Sequence, residues 1–349
     1  MLHRSGLAAV LINSQHNFSW ITSGASNGID LSRDAGAASI LVCGNGSRYL
    51  LTNNIEMERM LAEQVQAGAF EPVEYPWQDE RSSKALVMDK AKQLVAGEIA
   101  CDESIENKIA ECRYSLTEQE RERFRELGRN ASEAMMSTVN NISPGQTEIE
   151  MAETLRHEMA CGGMSSIVTL VAADDRIARY RHPIPSANQW KKELLLVTCA
   201  RRHGLVASLS RVITAGKPSD GLRQKTDSAA FVHASLLNAT KCGASGRELY
   251  RTAQRAYEQC GYANEIDLHH QGGAAGYRTR DWVAHPASNE SVKPYQAFAW
   301  NPSITGTKAE ETVIVAGESV EIITAVPGQP SITTQIDGHE FHSPGIISI

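Results

Sequence analysis

Residues 268–312, LHHQGGAAGYRTRDWVAHPASNESVKPYQAFAWNPSITGTKAEET, gather many side chains able to do chemistry into one stretch. His269, His270 and Gln271 precede the run Gly272-Gly273-Ala274-Ala275-Gly276. Arg278 and the pair Arg280-Asp281 follow, then Asn301-Pro302, and finally Glu310-Glu311. An arginine fork fits a carboxylate bidentately, so Arg280 suits an anionic group; an Arg280–Asp281 structural pair is the plainer alternative. His270 and Gln271 can donate to a substrate carbonyl, and His270 can equally be a core histidine. Asn301 can serve as an oxyanion-type donor or simply cap the turn made with Pro302. Upstream, the segment ARYRHPIPSANQW carries His182. An imidazole titrates near neutrality and can give and take a proton there. Pro183 and Pro185 stiffen its loop, which can also be an ordinary surface loop.

The glycine run is not a phosphate loop. It has no Gly-Lys-Ser/Thr ending and does not open a helix within a βαβ unit. Small residues there let strands approach closely or leave room for a substrate. Adjacent residues on a strand point to opposite faces. His269 and His270 are therefore not expected to share an ion with Glu310. The seven cysteines are odd in number, widely spaced and without a CxxC pair. That excludes a disulfide framework or structural zinc site as the organising principle and leaves reduced thiols, most of them expected buried, in a cytoplasmic protein.

These residues need elements to position them. Gly6–Ile12, Ala38–Cys43 and Tyr49–Leu51 read as strands, Asn54–Ala67 and Lys84–Val95 as helices, and Glu98–Cys101 as a closing strand. A boundary falls near Tyr114–Glu118. Thr117 with Glu120, and Thr147 with Glu150, are capping-box pairs that start two helices. The first ends before Ser143-Pro144-Gly145, the second at Cys161-Gly162-Gly163. Ile167–Ala172, Glu193–Ala200 and Leu205–Thr214 read as strands, Gly221–Ala239 and Ser245–Gln259 as helices, and the remainder is strand-rich.

With 34 basic and 41 acidic residues the net charge is −7, and the chain lacks the electrostatic footprint of a nucleic-acid binder. No run reaches the roughly 20 apolar residues that span a bilayer, and the first fifteen residues lack a signal-peptide pattern. No membrane or nucleic-acid partner is expected, only a small-molecule substrate.

Two helices, a strand hairpin, two helices and a strand-rich end, with Ser143-Pro144-Gly145-Gln146-Thr147-Glu148 at the helix junction, resemble the creatinase/prolidase/aminopeptidase P-like family. The resemblance covers nearly the whole chain. It implies an α+β fold, with a small α/β N-terminal domain over 1–113 and a pita-bread domain over 114–349. Metal-dependent members take two aspartates from the hairpin, a histidine from a Gly-His-Gly-x-Gly turn, and glutamates from a Glu-Pro-Gly and a last acidic strand. In this chain those positions read Thr198, Ser208 (or Leu209), Gly273, Asn301 and Glu310 (or Glu311). The resemblance thus implies no catalytic metal and no cofactor, since close-set divalent ions need bridging carboxylates.

Creatinase is a metal-free relative whose acid–base histidine matches His182. By that resemblance His182 and Glu310 are the expected catalytic pair, Glu310 either binding a cationic nitrogen or orienting His182. Arg280, Arg278, His270, Gln271 and Asn301 are the expected substrate-binding residues. Creatinase's second glutamate is Ser210 here, which makes creatine a poor substrate guess. The implied activity is metal-independent hydrolysis of an amide or amidine C–N bond in a carboxylate-bearing metabolite. A non-catalytic ligand- or peptide-binding domain and an Xaa-Pro metallopeptidase with atypical ligands are the alternatives. The resemblance also implies a homodimer.

Overall fold

A computed structural model describes residues 1–325 and 327–349. The chain divides into two compact units, Met1–Arg113 and Tyr114–Ile349.

The first unit is built on a five-stranded sheet in the order Glu71–Tyr75, Arg48–Asn53, Ala35–Cys43, Ala9–Ser14, Ile99–Cys101. The two outer pairings are parallel and the two inner ones antiparallel. Ala9 to Ile12 are all buried, because apolar clusters cover both faces of the sheet. The predicted helix over Asn54–Ala67 is instead a short turn, Met57–Arg59, followed by a π-helical segment, Met60–Gln64. Met57 and Met60 are its buried positions, while Ile55 and Leu61 stay exposed. The apolar spacing there was too sparse to bury a full helix. Strand Glu71–Tyr75 and helices Gln15–Ile21 and Glu106–Arg113 carried too little periodicity to be read in advance.

In the second unit both capping boxes form. The side chains of Thr117 and Glu120 bracket the start of helix Glu118–Asn141, and those of Thr147 and Glu150 the start of Glu148–Cys161. Helices Asp220–Ala239 and Gly246–Gln259 form the second pair. One sheet runs Ile346–Ser348, Leu205–Thr214, Glu193–Arg202, Ser165–Ala173; the other runs Trp282–Val283, Gly272–Ala275, Ala297–Trp300, Glu311–Ala316, Ser319–Ile322. The sheets meet where Ser210 bridges Glu310 and where Val206 N donates to Gly276 O at 2.8 Å. Helix residues Val232, Leu236, Leu249 and Tyr257 pack on Phe298, Trp300 and Val313 from the second sheet. This is the α+β, pita-bread arrangement expected of residues 114–349.

The central hairpin turns on His203 and Gly204, both with positive φ (50° and 79°), the geometry of a two-residue hairpin turn. That turn fixes the register, setting Cys199 across from Ser208 and Thr198 across from Leu209. All seven cysteines are free thiols, but only Cys43 and Cys199 are buried. The expectation of mostly buried cysteines is therefore corrected: Cys101, Cys112, Cys161 and Cys242 are exposed. Among the described residues no helix is long and apolar enough to cross a membrane.

Candidate functional site

His182 sits in the loop after the short helix Asp175–Arg179, and the loop is pinned on both sides of it. On one side Arg181 pairs with Glu265 and donates to Ser303 Oγ at 3.2 Å and Thr305 Oγ1 at 2.8 Å. On the other, Pro183 O accepts from Val171 N at 3.2 Å. The structural role of Arg181 is not legible in the sequence, because its partners lie some 80 to 120 positions away.

The polar group at hydrogen-bond distance from His182 is His269, with Nε2 to Nε2 at 3.2 Å. Among the described residues Glu310 makes no hydrogen bond to His182, which its expected orienting role would need; His269 is the residue in that place. His269 and His270 lie on a bend, not on a strand, and their rings stack with centroids 4.4 Å apart. The premise that they face opposite ways is corrected. With His182 they form a cluster whose ligand-capable atoms all lie within 4.8 Å of one another. Burial holds the His269 imidazole down to about 2, helped by Lys308 and the neighbouring histidines. Burial, Arg280 and Lys308 hold His270 down to about 4. His182 is lowered too, by burial and Lys308 against the opposing pull of Glu310. All three imidazoles are thus shifted toward the neutral form.

Glu310 is 2% exposed. Its Oε2 lies 3.3 Å from Lys308 Nζ, and its Oε1 lies 3.5 Å from the Arg280 guanidinium. Arg280 also donates to Thr279 O at 2.6 Å and Ser208 Oγ at 3.4 Å. Glu311 points elsewhere: its carboxylate meets Arg211 at 3.0 Å and accepts from Thr324 Oγ1, with both ions fully buried. Of the two adjacent glutamates, Glu310 is the one facing the histidine and arginine groups.

The remaining expected residues divide. Gln271 is buried and both ends of its amide are engaged, Oε1 by Tyr257 OH at 2.6 Å and Nε2 by His269 O. It holds the His269 bend instead of presenting a free donor. Asn301 N donates to Gln271 O at 3.0 Å, and the Asn301 amide oxygen is buried with no donor among the described residues. Arg278 is exposed on the turn after strand Gly272–Ala275. Lys308, 5% exposed, was missed as a site residue; a lysine beside a glutamate on a short hairpin reads as a surface pair.

A dinuclear metal centre does not fit this residue set. The hairpin pair that faces Arg280 and Glu310 is Ser208 with Cys199, whose Sγ accepts from Ser208 Oγ at 3.3 Å. Thr198 is directed away, its Oγ1 2.8 Å from Ser166 Oγ. The Thr198 position inferred from sequence is thus corrected to Cys199, because the tight turn shortens the hairpin. A side chain at Gly273 would start 2.1 Å from Trp282 O, so no histidine can be accommodated there without moving the backbone. The one carboxylate present already faces two cations.

The sequence model of metallopeptidase family M24 matches residues 122–324. An Xaa-Pro dipeptidase of Pyrococcus furiosus is 21% identical over 230 residues, which is 63% of this chain and 66% of that protein, just under two thirds of its length. Among solved structures, an Xaa-Pro dipeptidase from Bacillus anthracis superposes with a TM-score of 0.76 at 19% identity, covering 100% of this chain and 97% of that one. The prolidase from Pyrococcus furiosus superposes with a TM-score of 0.75 at 20% identity, covering 93% and 98%.

Proposed function

Because this chain belongs to metallopeptidase family M24, we propose that it is a C–N hydrolase whose reaction centre works without the metal ions from which the family takes its name. The observation that carries the reading is Glu310, buried between Lys308 at 3.3 Å and Arg280 at 3.5 Å. Side-chain cations stand against the carboxylate that would otherwise face divalent ions.

The chemistry follows from the groups present. A water attacks the carbonyl or amidine carbon and forms the new C–O bond. The His182–His269 pair takes the water's proton and returns it to the leaving nitrogen as the C–N bond breaks. Neutral imidazoles suit this exchange, since one accepts while the other donates. Arg280, its guanidinium steadied by Thr279 O and Ser208 Oγ, grips the substrate's carboxylate. His270 and Asn301 flank the substrate, Gln271 fixes the bend, and Arg278 offers a further cation at the exposed turn.

A second reading is favoured by one observation. The three-histidine cluster has the ligand spacing of a transition-metal site, and a metal held there would make the chain a metal-dependent Xaa-Pro hydrolase like its named relatives. One experiment separates the two. EDTA-treated protein is incubated with Xaa-Pro dipeptides, N-acyl amino acids and guanidino acids, and amine release is followed by mass spectrometry. Turnover that persists in EDTA and falls about 10²- to 10⁴-fold in His182→Ala supports the metal-free reading. Turnover that requires added Mn²⁺, Co²⁺ or Zn²⁺ overturns it.

A further inference from the structure

Lys308, so far described only as a counter-charge to Glu310, has been given no contact with a ligand. It sits on the two-residue strand Thr307–Lys308, across from Ser303, and is 5% exposed. Its Nζ lies 3.3 Å from Glu310 Oε2, yet that oxygen is buried and accepts no hydrogen bond, so the contact is an ion pair without an aligned N–H. An ammonium carries three donors. Among the described residues its partner is the Glu310 carboxylate, and no further acceptor engages the remaining donors. An ammonium with donors to spare beside one shared carboxylate favours a further anionic partner.

Around it, fixed positive charge exceeds negative charge. Lys308 and Arg280 face a single carboxylate, Glu310. Among the described residues Arg280 Nε, His269 Nδ1, Glu310 Oε2 and Asn301 Oδ1 are buried without hydrogen-bond partners. Lys308 pairs across the short hairpin with Ser303, whose Oγ accepts at 3.2 Å from Arg181, the residue before His182, and it lowers all three imidazoles. The competing occupant is a cation on the three imidazoles. The His182–His269 separation of 3.2 Å is close to the roughly 3.3 Å expected between two imidazole nitrogens on one tetrahedral zinc. Such an ion would share the site with two fixed cations, Lys308 and Arg280, opposed by Glu310, while His182 and His270 are exposed to solvent. Charge therefore decides for an anion.

We propose that Lys308 is the anion-binding centre of this pocket, holding an anionic oxygen of a small carboxylate between its ammonium and the imidazoles of His182, His269 and His270. The fixed ammonium then serves where bound metal ions serve in metal-dependent members, drawing negative charge to the reacting group. The inference rests on the reading of this pocket as the reaction centre, but its test needs no turnover.

The probe is acetate, titrated calorimetrically into the EDTA-treated full chain at constant ionic strength, with chloride as the balancing anion. One saturable site is expected. Its affinity should fall at least ~10-fold in Lys308→Met and less in Lys308→Arg, which keeps the charge. Lys308→Met leaves Arg280 to balance Glu310, and circular dichroism checks that it folds; Lys308→Gln, which keeps length and a donor, is the second variant. Equal acetate binding by wild type and both neutral variants overturns the proposal, as does a wild type that shows no saturable binding. Stoichiometric Zn²⁺ binding that disappears in His269→Asn and is indifferent to acetate also overturns it, in favour of the cation. Because none of these outcomes depends on catalysis, a protein that binds acetate as expected but hydrolyses nothing would refute the hydrolase reading alone.

Discussion

Replacing Glu310 by Gln should destabilise the metal-free protein, and the size of the loss can be worked from the contacts. Lys308 Nζ lies 3.3 Å and the Arg280 guanidinium 3.5 Å from the carboxylate. At an effective dielectric near 20 each attraction is about 5 kcal/mol before desolvation is charged against it. Glu310 and Lys308 are almost fully buried, while the Arg280 side chain keeps 13% of its surface in solvent and is partly screened. Removing one partner of a buried ionic group strands the others, for a net loss of about 3–5 kcal/mol. A cluster built to hold divalent ions behaves oppositely. Its carboxylates repel one another when metal is absent, and neutralising one of them relieves the metal-free protein. The two cases therefore differ in sign. Urea unfolding of the EDTA-treated full chain gives the overall change. Hydrogen exchange of the Leu205–Thr214 and Glu311–Ala316 strands reports the second unit separately. The double variant Glu310→Gln, Lys308→Met should recover most of the loss, since it removes one charge of each sign; the difference is the coupling between them. A Glu310→Gln protein as stable as wild type, or more stable, would refute the ion-pair reasoning.

Stability should also fall on acidification. His269 and His270 are held by burial and nearby cations at about 2 and about 4 in the folded chain, below their ordinary 6.5. The unfolded chain takes up protons first. Their contribution is complete above about pH 6.5 and is lost as pH drops toward the folded values, at up to about 1.4 kcal/mol per pH unit for buried His269 and less for His270, whose exposed ring is screened by solvent. Urea unfolding between pH 7.5 and 5 should show a shallower slope in His269→Asn; an unchanged slope would exclude the cluster as its source. Core His233, held by burial to about 3 with Nδ1 2.8 Å from Ser343 Oγ, contributes in the same window and is the control position. Arg280→Lys keeps the charge but loses the fork, so KM for a carboxylate substrate should rise by about tenfold or more while kcat changes less, a split read directly from steady-state kinetics. Trp300→Ala should cost about 3–5 kcal/mol by emptying the core between the second sheet and its helices, measured by urea unfolding.

Much of the fold was legible because its signals are local. Thr117 with Glu120 and Thr147 with Glu150 announce two helix starts within four residues each, and both boxes form. Leu205–Thr214 was bounded by its own β-rich run and matches the observed strand. What failed depends on contacts distant in sequence. Cys199 instead of Thr198 faces Ser208 because His203 and Gly204 make a two-residue turn, and a slip of one residue reverses the face a strand presents. His269 and His270 converge because Gln271 and Tyr257 hold a bend that strand alternation does not describe. Lys308 looked like a surface partner of Glu310. Only burial, set by the packing of residues far from it, shows it to be an interior residue beside Glu310.

The central claim is that fixed side-chain cations replace metal ions at Glu310. Its most direct test is calorimetric titration of Mn²⁺ and Co²⁺ into EDTA-treated wild type and Glu310→Gln at pH 7. The expected result is no stoichiometric binding in either protein. One or two ions bound per chain in wild type, and lost in Glu310→Gln, would contradict it.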